Sequence, residues 1–398
     1  MDLKIYPGKL SGSLSVIPSK SQAHRLLICA AFADGPTQLY CPEISRDMDA
    51  TAACLNALGA GIQRTSYGYH IEPVRRIPTS ATLSCKDSGS TLRFLLPVVG
   101  ALGIDALFLL EGRLAQRPLS PLWEEMLRMG CSLSYTGERR LQCSGKLKPG
   151  TYRIDGGVSS QFITGLLLAA PLIPGKTDIV ITGKLESKPY VDMTQHALTL
   201  FGCPCADFEV LGGRTLHTPG RLQVEGDWSN GAFFLTANAL GSTIQIDNLD
   251  QTSLQGDRAV SWLLPMLKHN CTISAADIPD LIPILSIAAA CNQGAVFTDI
   301  QRLRLKESDR VLSTISMLHA LGGKAESTES TLTVYGTGLT GGTVDCANDH
   351  RIAMAAAIGA TVAKKAVLLL GAECVEKSYP KFFEEYCRLG GNYEQYFR

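Results

Sequence analysis

The run NDHRIAMAAAIGATVA, Asn348–Ala363, reads in two parts. Four polar residues, Asn348-Asp349-His350-Arg351, come first, and from Ile352 to Ala363 almost every residue is apolar. A helix that is apolar on every side is covered by neighbours all round. The stretch therefore predicts a buried helix opened by a polar cluster, and the same design recurs upstream. Candidate starts stand at Ser21, Ser88, Ser159, Trp228, Asp280 and Asp349, spaced 67, 71, 69, 52 and 69 residues apart. A second, amphipathic set interleaves with them and ends at Gly59, Gly130, Gly202, Asn270, Gly322 and Gly390, at intervals of 71, 72, 68, 52 and 68 residues. Gly or Asn at that point is what a left-handed helix C-cap requires. Both ladders share one count and one short interval. They predict six copies of a unit holding one buried and one amphipathic helix. Strand-like runs at Thr177–Thr182, Ser242–Asp247, Ala295–Asp299, Thr331–Tyr335 and Ala366–Leu370 fill the gaps, which makes the fold α/β with helices covered by sheets.

Length and charge bound what such a chain can do. At 398 residues it has room for two to three domains, and 45% hydrophobic with 19% charged residues is globular usage. Lys and Arg total 37 against 37 Asp and Glu, so no global field draws it to nucleic acid or to an anionic membrane. Any anion binding must be local. The opening Met1-Asp2-Leu3-Lys4-Ile5 lacks the apolar run of a secretory signal. The longest uncharged stretch, Gly156–Gly175, is too rich in Gly, Ser, Thr and Pro to read as a membrane span. Thirteen cysteines in a large chain without a signal point to a reducing, cytoplasmic setting.

The starts of the buried helices carry the chemistry. They read Ser19-Lys20-Ser21-Gln22-Ala23-His24-Arg25, Asp87-Ser88-Gly89-Ser90-Thr91-Leu92-Arg93, Gly157-Val158-Ser159-Ser160-Gln161 and Asn348-Asp349-His350-Arg351. Ser, Asp and Asn there are ordinary N-caps. A cation in the first turn is not explained by capping, because the helix dipole already makes that end positive. Free N–H groups, hydroxyls and a cation together make a cradle for phosphate or carboxylate. Further cations sit at Arg117-Pro118, in Lys306-Glu307-Ser308-Asp309-Arg310 and in Lys377-Ser378-Tyr379-Pro380. If Lys20, Arg25, Arg117, Lys306, Arg310, Arg351 and Lys377 converge, a neutral chain holds a strongly cationic pocket for a small polyanion; spacing alone leaves that open.

Other motifs fail. The seven histidines are never closer than 21 residues, so no local zinc site is indicated, and Cys203-Pro204-Cys205 lacks CxxC spacing. Gly336-Thr337-Gly338-Leu339-Thr340-Gly341 matches GxGxxG but runs into Gly342-Thr343-Val344-Asp345 rather than a helix. No P-loop is present.

The ordered set of clusters resembles the EPSP synthase (3-phosphoshikimate 1-carboxyvinyltransferase) family of enolpyruvyl transferases nearly end to end. The likeness also takes in Glu186-Ser187-Lys188-Pro189-Tyr190 and Ile278-Pro279-Asp280. It implies a two-domain inside-out α/β barrel of six repeated units, three per domain. Residues 1–16 and 225–398 would form one domain and 17–224 the other, with the active site in the cleft between them. It implies transfer of the enolpyruvyl group of phosphoenolpyruvate to the 5-hydroxyl of shikimate 3-phosphate through a tetrahedral intermediate, on the way to chorismate and aromatic amino acids. No metal or organic cofactor is expected, and the partners are the two small-molecule substrates of a monomer.

By the same resemblance Asp280 is the base and Glu307 the proton donor. Lys20, Gly89, Arg117, Gln161, Arg310, Arg351 and Lys377 would bind phosphoenolpyruvate. Lys20, Ser21, Arg25, Ser159, Ser160, Gln161, Ser187, Asp280 and Lys306 would bind shikimate 3-phosphate, and Tyr190 would lie beneath its ring or pack in the core. Asp280 also reads as a plain helix N-cap, and Glu307 as an ion-pair partner of Lys306 and Arg310. Those cations would depress the pKa that a donor needs raised, and Lys377 is the rival donor. The chain departs from the family's pattern at Asp87 and Arg302, where Asn is common, and at His24. The sister family acting on UDP-N-acetylglucosamine uses a loop cysteine that is absent from Gly112–Pro118, and a decayed binding protein would not keep Asp280, Glu307, Lys20 and Arg351.

Overall fold

The computed structural model describes residues 1–205 and 207–397. Over these run twelve α-helices: α1 (Lys20–Ala31), α2 (Arg46–Ala57), α3 (Gly89–Leu102), α4 (Leu122–Arg128), α5 (Ser160–Ala169), α6 (Lys188–Leu200), α7 (Trp228–Ala239), α8 (Val260–Met266), α9 (Ile282–Ala290), α10 (Arg310–Ala320), α11 (His350–Ala360) and α12 (Phe382–Arg388). They fall into two units with separate cores. A middle unit, Pro18–Glu225, holds α1–α6, and a terminal unit, Met1–Ile17 with Gly226–Arg398, holds α7–α12.

Each unit carries three sheets among its described residues. A parallel strand pair needs a long crossover, normally a helix, and the odd-numbered helices supply it. α3 joins Ser80–Lys86 to the parallel Asp105–Leu110, and α5 joins Gly150–Asp155 to Gly175–Thr182. In the terminal unit α9 joins Cys271–Ser274 to Ala295–Thr298, and α11 joins Thr343–Asp345 to Val367–Leu370. The other two parallel pairs draw on distant sequence. Thr37–Tyr40 pairs with Arg221–Gln223 in the middle unit, and Ser11–Leu14 with Thr243–Ile246 in the terminal one. The reason is that the chain passes from one unit to the other just before α1 and again just before α7.

Every residue of α9 and α11 is buried, and α3 leaves only Ser90 and Leu102 partly exposed. The strands instead alternate: Leu332 and Val334 point into the core while their neighbours are partly exposed. Helices inside and sheets outside make each unit an inside-out α/β structure, as the two ladders predict. α3 and α5 approach closely at Gly165, where a Cβ would stand 2.2 Å from the Arg93 carbonyl oxygen.

Local chemistry sets the helix ends. Ser19, Ser45, Ser88, Ser159, Asp227, Asp309 and Asp349 accept backbone N–H bonds as N-caps. Five of the six predicted C-terminal stops are glycines at positive φ: Gly59, Gly130, Gly202, Gly322 and Gly390. Asn270 departs from the expectation, since it is not among the residues at positive φ. α8 is short and ends through Leu267, so no left-handed turn is needed there. The GxGxxG run lies between two strands, Thr331–Tyr335 and Thr343–Asp345. Among the described residues no helix is long and apolar enough to cross a membrane.

Candidate active site

In the terminal unit the site is built around Arg310, the first residue of α10, whose side chain is 1% exposed. Its Nε donates to Asp349 Oδ2 at 3.0 Å, its Nη1 to Asp280 Oδ1 at 2.6 Å and its Nη2 to Glu307 Oε2 at 2.5 Å. One guanidinium thus ties the starts of three elements. Asp349 caps α11, Asp280 stands two residues before α9, and Glu307 lies in the loop leading into α10. Asp280 also faces Lys306 Nζ at 3.5 Å and Arg351 Nη2 at 3.4 Å.

Asp280 is not the N-cap of α9. The helix begins at Ile282, and its cap residue, Leu281, offers no side-chain bond. The carboxylate is turned instead toward three cations. Burial pushes its proton affinity up, but Lys306, Arg351 and Arg310, with the Arg310 hydrogen bond, hold it well below the ordinary carboxylate range. Lys306 moves the other way: burial, aided by Arg310 and Arg302, lowers its pKa against the pull of Asp280. Lys377 Nζ donates to the carbonyl of Asn348 at 2.8 Å, which brings it to the start of α11. Ala347 and Asn348 both take φ near +50° just ahead of that start. Such backbone is costly for residues other than glycine and gathers at functional sites.

Behind this ring lies a group that sequence reasoning missed. Asp257 is buried and accepts a short hydrogen bond from Ser229. Its Oδ1 has no protein partner among the described residues, nor do Nε and Nη1 of Arg351. Burial, with Asp280 next, raises the Asp257 carboxyl to about 7. Its stabilising effect is complete below the ordinary value of 3.8 and is lost as pH rises through 7. Asp257→Asn is therefore expected to raise thermal stability at pH 8, by an amount on the order of 2–4 kcal/mol. The gain should vanish toward pH 4, as a melting series over that range would read. No motif marks this residue; only burial does.

In the middle unit the predicted residues sit at four helix starts. Lys20, opening α1, pairs with Asp47 Oδ2 of α2 at 3.0 Å. Arg25 is buried, and its guanidinium donates to Thr194 Oγ1 at 2.8 Å, the Tyr190 carbonyl at 2.7 Å, Thr164 Oγ1 at 3.3 Å and the Ser21 carbonyl at 2.5 Å. It packs over the Phe94 ring. Most of its donors are spent inside the protein, so its first role is to lock α1 to α5 and α6. Gly89 opens α3 with Arg117 against it. A Cβ on Gly89 would stand 2.6 Å from Arg117 Nη1 and 2.7 Å from Arg93 Nη1. Arg93 Nη2 holds the Arg117 loop by donating to the Pro118 carbonyl at 3.0 Å. Gln161, in the first turn of α5, donates to Ser90 Oγ at 3.1 Å, so the α3 and α5 starts meet. Ser159 caps α5 and Ser160 follows it. Ser187 precedes α6 at φ +55° with no capping bond from its side chain. Tyr190 is partly exposed within α6.

The structure therefore gathers Asp280, Lys306, Glu307, Arg310, Arg351 and Lys377 in one unit and Gly89, Arg117 and Gln161 in the other. Asp349 stood out in the sequence only as an N-cap candidate, and Asp47, in the first turn of α2, was not singled out at all.

Comparison with known proteins agrees with this architecture. The family model described as EPSP synthase (3-phosphoshikimate 1-carboxyvinyltransferase) matches residues 5–275 and 265–386. A 3-phosphoshikimate 1-carboxyvinyltransferase from Clostridium beijerinckii is 37% identical over 429 aligned positions, covering 99% of each chain. One from Clostridium botulinum strain Alaska E43 is 38% identical, covering 99% of this chain and 98% of its own. Among solved structures, EPSP synthase from Acinetobacter baumannii superposes with a TM-score of 0.81 at 24% identity, over 99% of this chain and 100% of that one. The enolpyruvyl transferase NikO from Streptomyces tendae does so at 0.75 and 18%, over 99% and 98%.

Proposed function

Because the chain belongs to the EPSP synthase (3-phosphoshikimate 1-carboxyvinyltransferase) family, we propose a division of that family's reaction among its residues. The enzyme transfers the enolpyruvyl group of phosphoenolpyruvate to shikimate 3-phosphate in the shikimate pathway. The observation that carries our reading is Asp280, an ionised carboxylate held among Lys306, Arg310 and Arg351.

Asp280 takes the proton of the 5-hydroxyl as its oxygen bonds to C2 of phosphoenolpyruvate, and Glu307 supplies a proton to C3. The tetrahedral adduct then loses phosphate, which takes up the proton held by Asp280, and C3 returns its proton to Glu307. Lys20, Gly89, Arg117, Gln161, Arg310, Arg351 and Lys377 hold phosphoenolpyruvate. Ser21, Arg25, Ser159, Ser160, Ser187 and Lys306, with Lys20, Gln161 and Asp280, hold shikimate 3-phosphate. Without substrate, carboxylates neutralise the ring. As the anionic substrates draw on Arg310, Lys306 and Arg351, Asp280 loses part of the field that depresses it and becomes a better base. The same withdrawal of Arg310 frees Glu307 to act. The free thiols suit a reducing cytoplasm, and we take the working form to be a monomer.

Phosphate release from phosphoenolpyruvate is expected with shikimate 3-phosphate and absent with UDP-N-acetylglucosamine. In deuterated water, Glu307→Gln is expected to stop label entering C3. Label at the wild-type rate would assign the proton to Lys377 instead, and release with the nucleotide sugar would overturn the substrate.

A further inference from the structure

Four side chains of the middle unit form a buried hydrogen-bonded chain that the roles above do not use. His24 Nδ1 lies 2.8 Å from Thr51 Oγ1, Thr51 Oγ1 lies 2.7 Å from Thr91 Oγ1, and Thr91 Oγ1 donates to Ser88 Oγ at 2.8 Å. All four residues are at most 1% exposed. They come from α1, α2, α3 and the N-cap of α3.

Counting donors gives the chain a direction. Thr91 spends its proton on Ser88, so it can only accept from Thr51. Thr51 then has no proton left for His24, so Nδ1 of His24 carries the hydrogen and donates it. Ser88 Oγ accepts both that Thr91 hydroxyl and the Thr91 backbone N–H, at 3.2 Å. Both of its lone pairs are filled, and its own hydroxyl is left as a donor only. His24 is suited to head such a chain. Burial, with Lys20 and Arg25 beside it, keeps the ring neutral, and its edge-on contact with Phe94 fixes its plane.

The helices joined in this way lie at predicted anion ligands: Lys20 on α1, paired with Asp47 of α2, and Gly89 opening α3 against Arg117, with Gln161 bonded to Ser90 of the same turn. We propose that His24 is a positioning residue, which acts through Thr51 and Thr91 to hold the α3 start with every hydroxyl dipole aimed out of the core toward the anion. Apolar side chains of equal shape would pack the three helices as well but would not set the direction of the Ser88 proton. The inference rests on the phosphoenolpyruvate role given above to the α3 start.

The test is steady-state kinetics at saturating shikimate 3-phosphate, with melting curves on the same samples. Thr51→Val and His24→Phe are expected to raise KM for phosphoenolpyruvate roughly 3- to 10-fold, the worth of one hydrogen bond, with kcat within about twofold. His24→Asn, whose amide N–H replaces Nδ1–H, should stay near wild type. Thr91→Ser, which keeps the hydroxyl, should do so too and serves if Thr51→Val does not fold. An unmoved KM in Thr51→Val and His24→Phe would overturn the relay, as would His24→Asn behaving like His24→Phe. Arg117→Lys reports on the cradle itself. A raised KM there with unmoved relay variants sinks the relay alone; an unmoved KM in Arg117→Lys sinks the cradle and the relay with it.

Discussion

Asp280→Asn is expected to lower kcat by about 10³-fold, within the range a positioned general base supplies, while KM for either substrate changes only a few-fold. Asparagine has nearly the same shape and keeps an oxygen for Arg310 Nη1 and Lys306, while its amide nitrogen replaces the oxygen that accepts from Arg351. What it cannot do is take a proton. Rapid-quench measurement of the first turnover separates this from a binding defect: loss in the chemical step with normal binding is the expected pattern. A variant within tenfold of wild type would remove Asp280 from the proton transfer. Stability gives an independent sign. The Asp280 carboxyl titrates well below its ordinary value in the folded chain. Its contribution is therefore present above about pH 3.8 and lost only as pH falls toward the lower folded value. The melting-temperature deficit of Asp280→Asn should shrink in acid, as pH falls below about 3.8.

Arg310→Met should be the most destabilising single change at the site, costing about 3–5 kcal/mol, because it leaves buried carboxylates without their cation. Asp349 is fully buried, and Asp280 and Glu307 keep only partial exposure. Asp349 can still cap α11, but Glu307 loses the ion pair that holds it. At this unit size the loss corresponds to a fall of roughly 10 °C in melting temperature, with no activity at permissive temperature. Arg310→Lys should recover part of the stability, since a lysine is a point charge that cannot serve Asp349, Asp280 and Glu307 together as a planar fork does. Urea unfolding at pH 7 checks both variants. A midpoint of Arg310→Met equal to wild type would mean that the three carboxylates do not depend on this guanidinium.

Much of the fold was legible because its determinants are local. Ser88, Ser159 and Asp349 cap helices through bonds spanning two or three residues, and Gly59 or Gly322 stop them through their own backbone freedom. Asn270 misled for the same reason: an Asn permits a left-handed turn without requiring one. Asp280 misled in the other direction. Its place before an apolar run is that of a cap, yet partners 30 and 71 residues away, Arg310 and Arg351, claim the carboxylate.

The sequence by itself determined six α/β repeats, which helices are buried, and which residues carry charge at their starts, since periodicity and capping act within a few residues. Only the tertiary structure decided that Arg310 is shared among Asp280, Glu307 and Asp349, that most donors of Arg25 go to protein partners such as Thr194, Thr164 and the Tyr190 carbonyl, and that buried Asp257 feels the charges of Asp280 and Arg351 with its carboxyl raised. Charges interact through space and gain strength when water is excluded. Neither the distance nor the exclusion exists until the helices have packed.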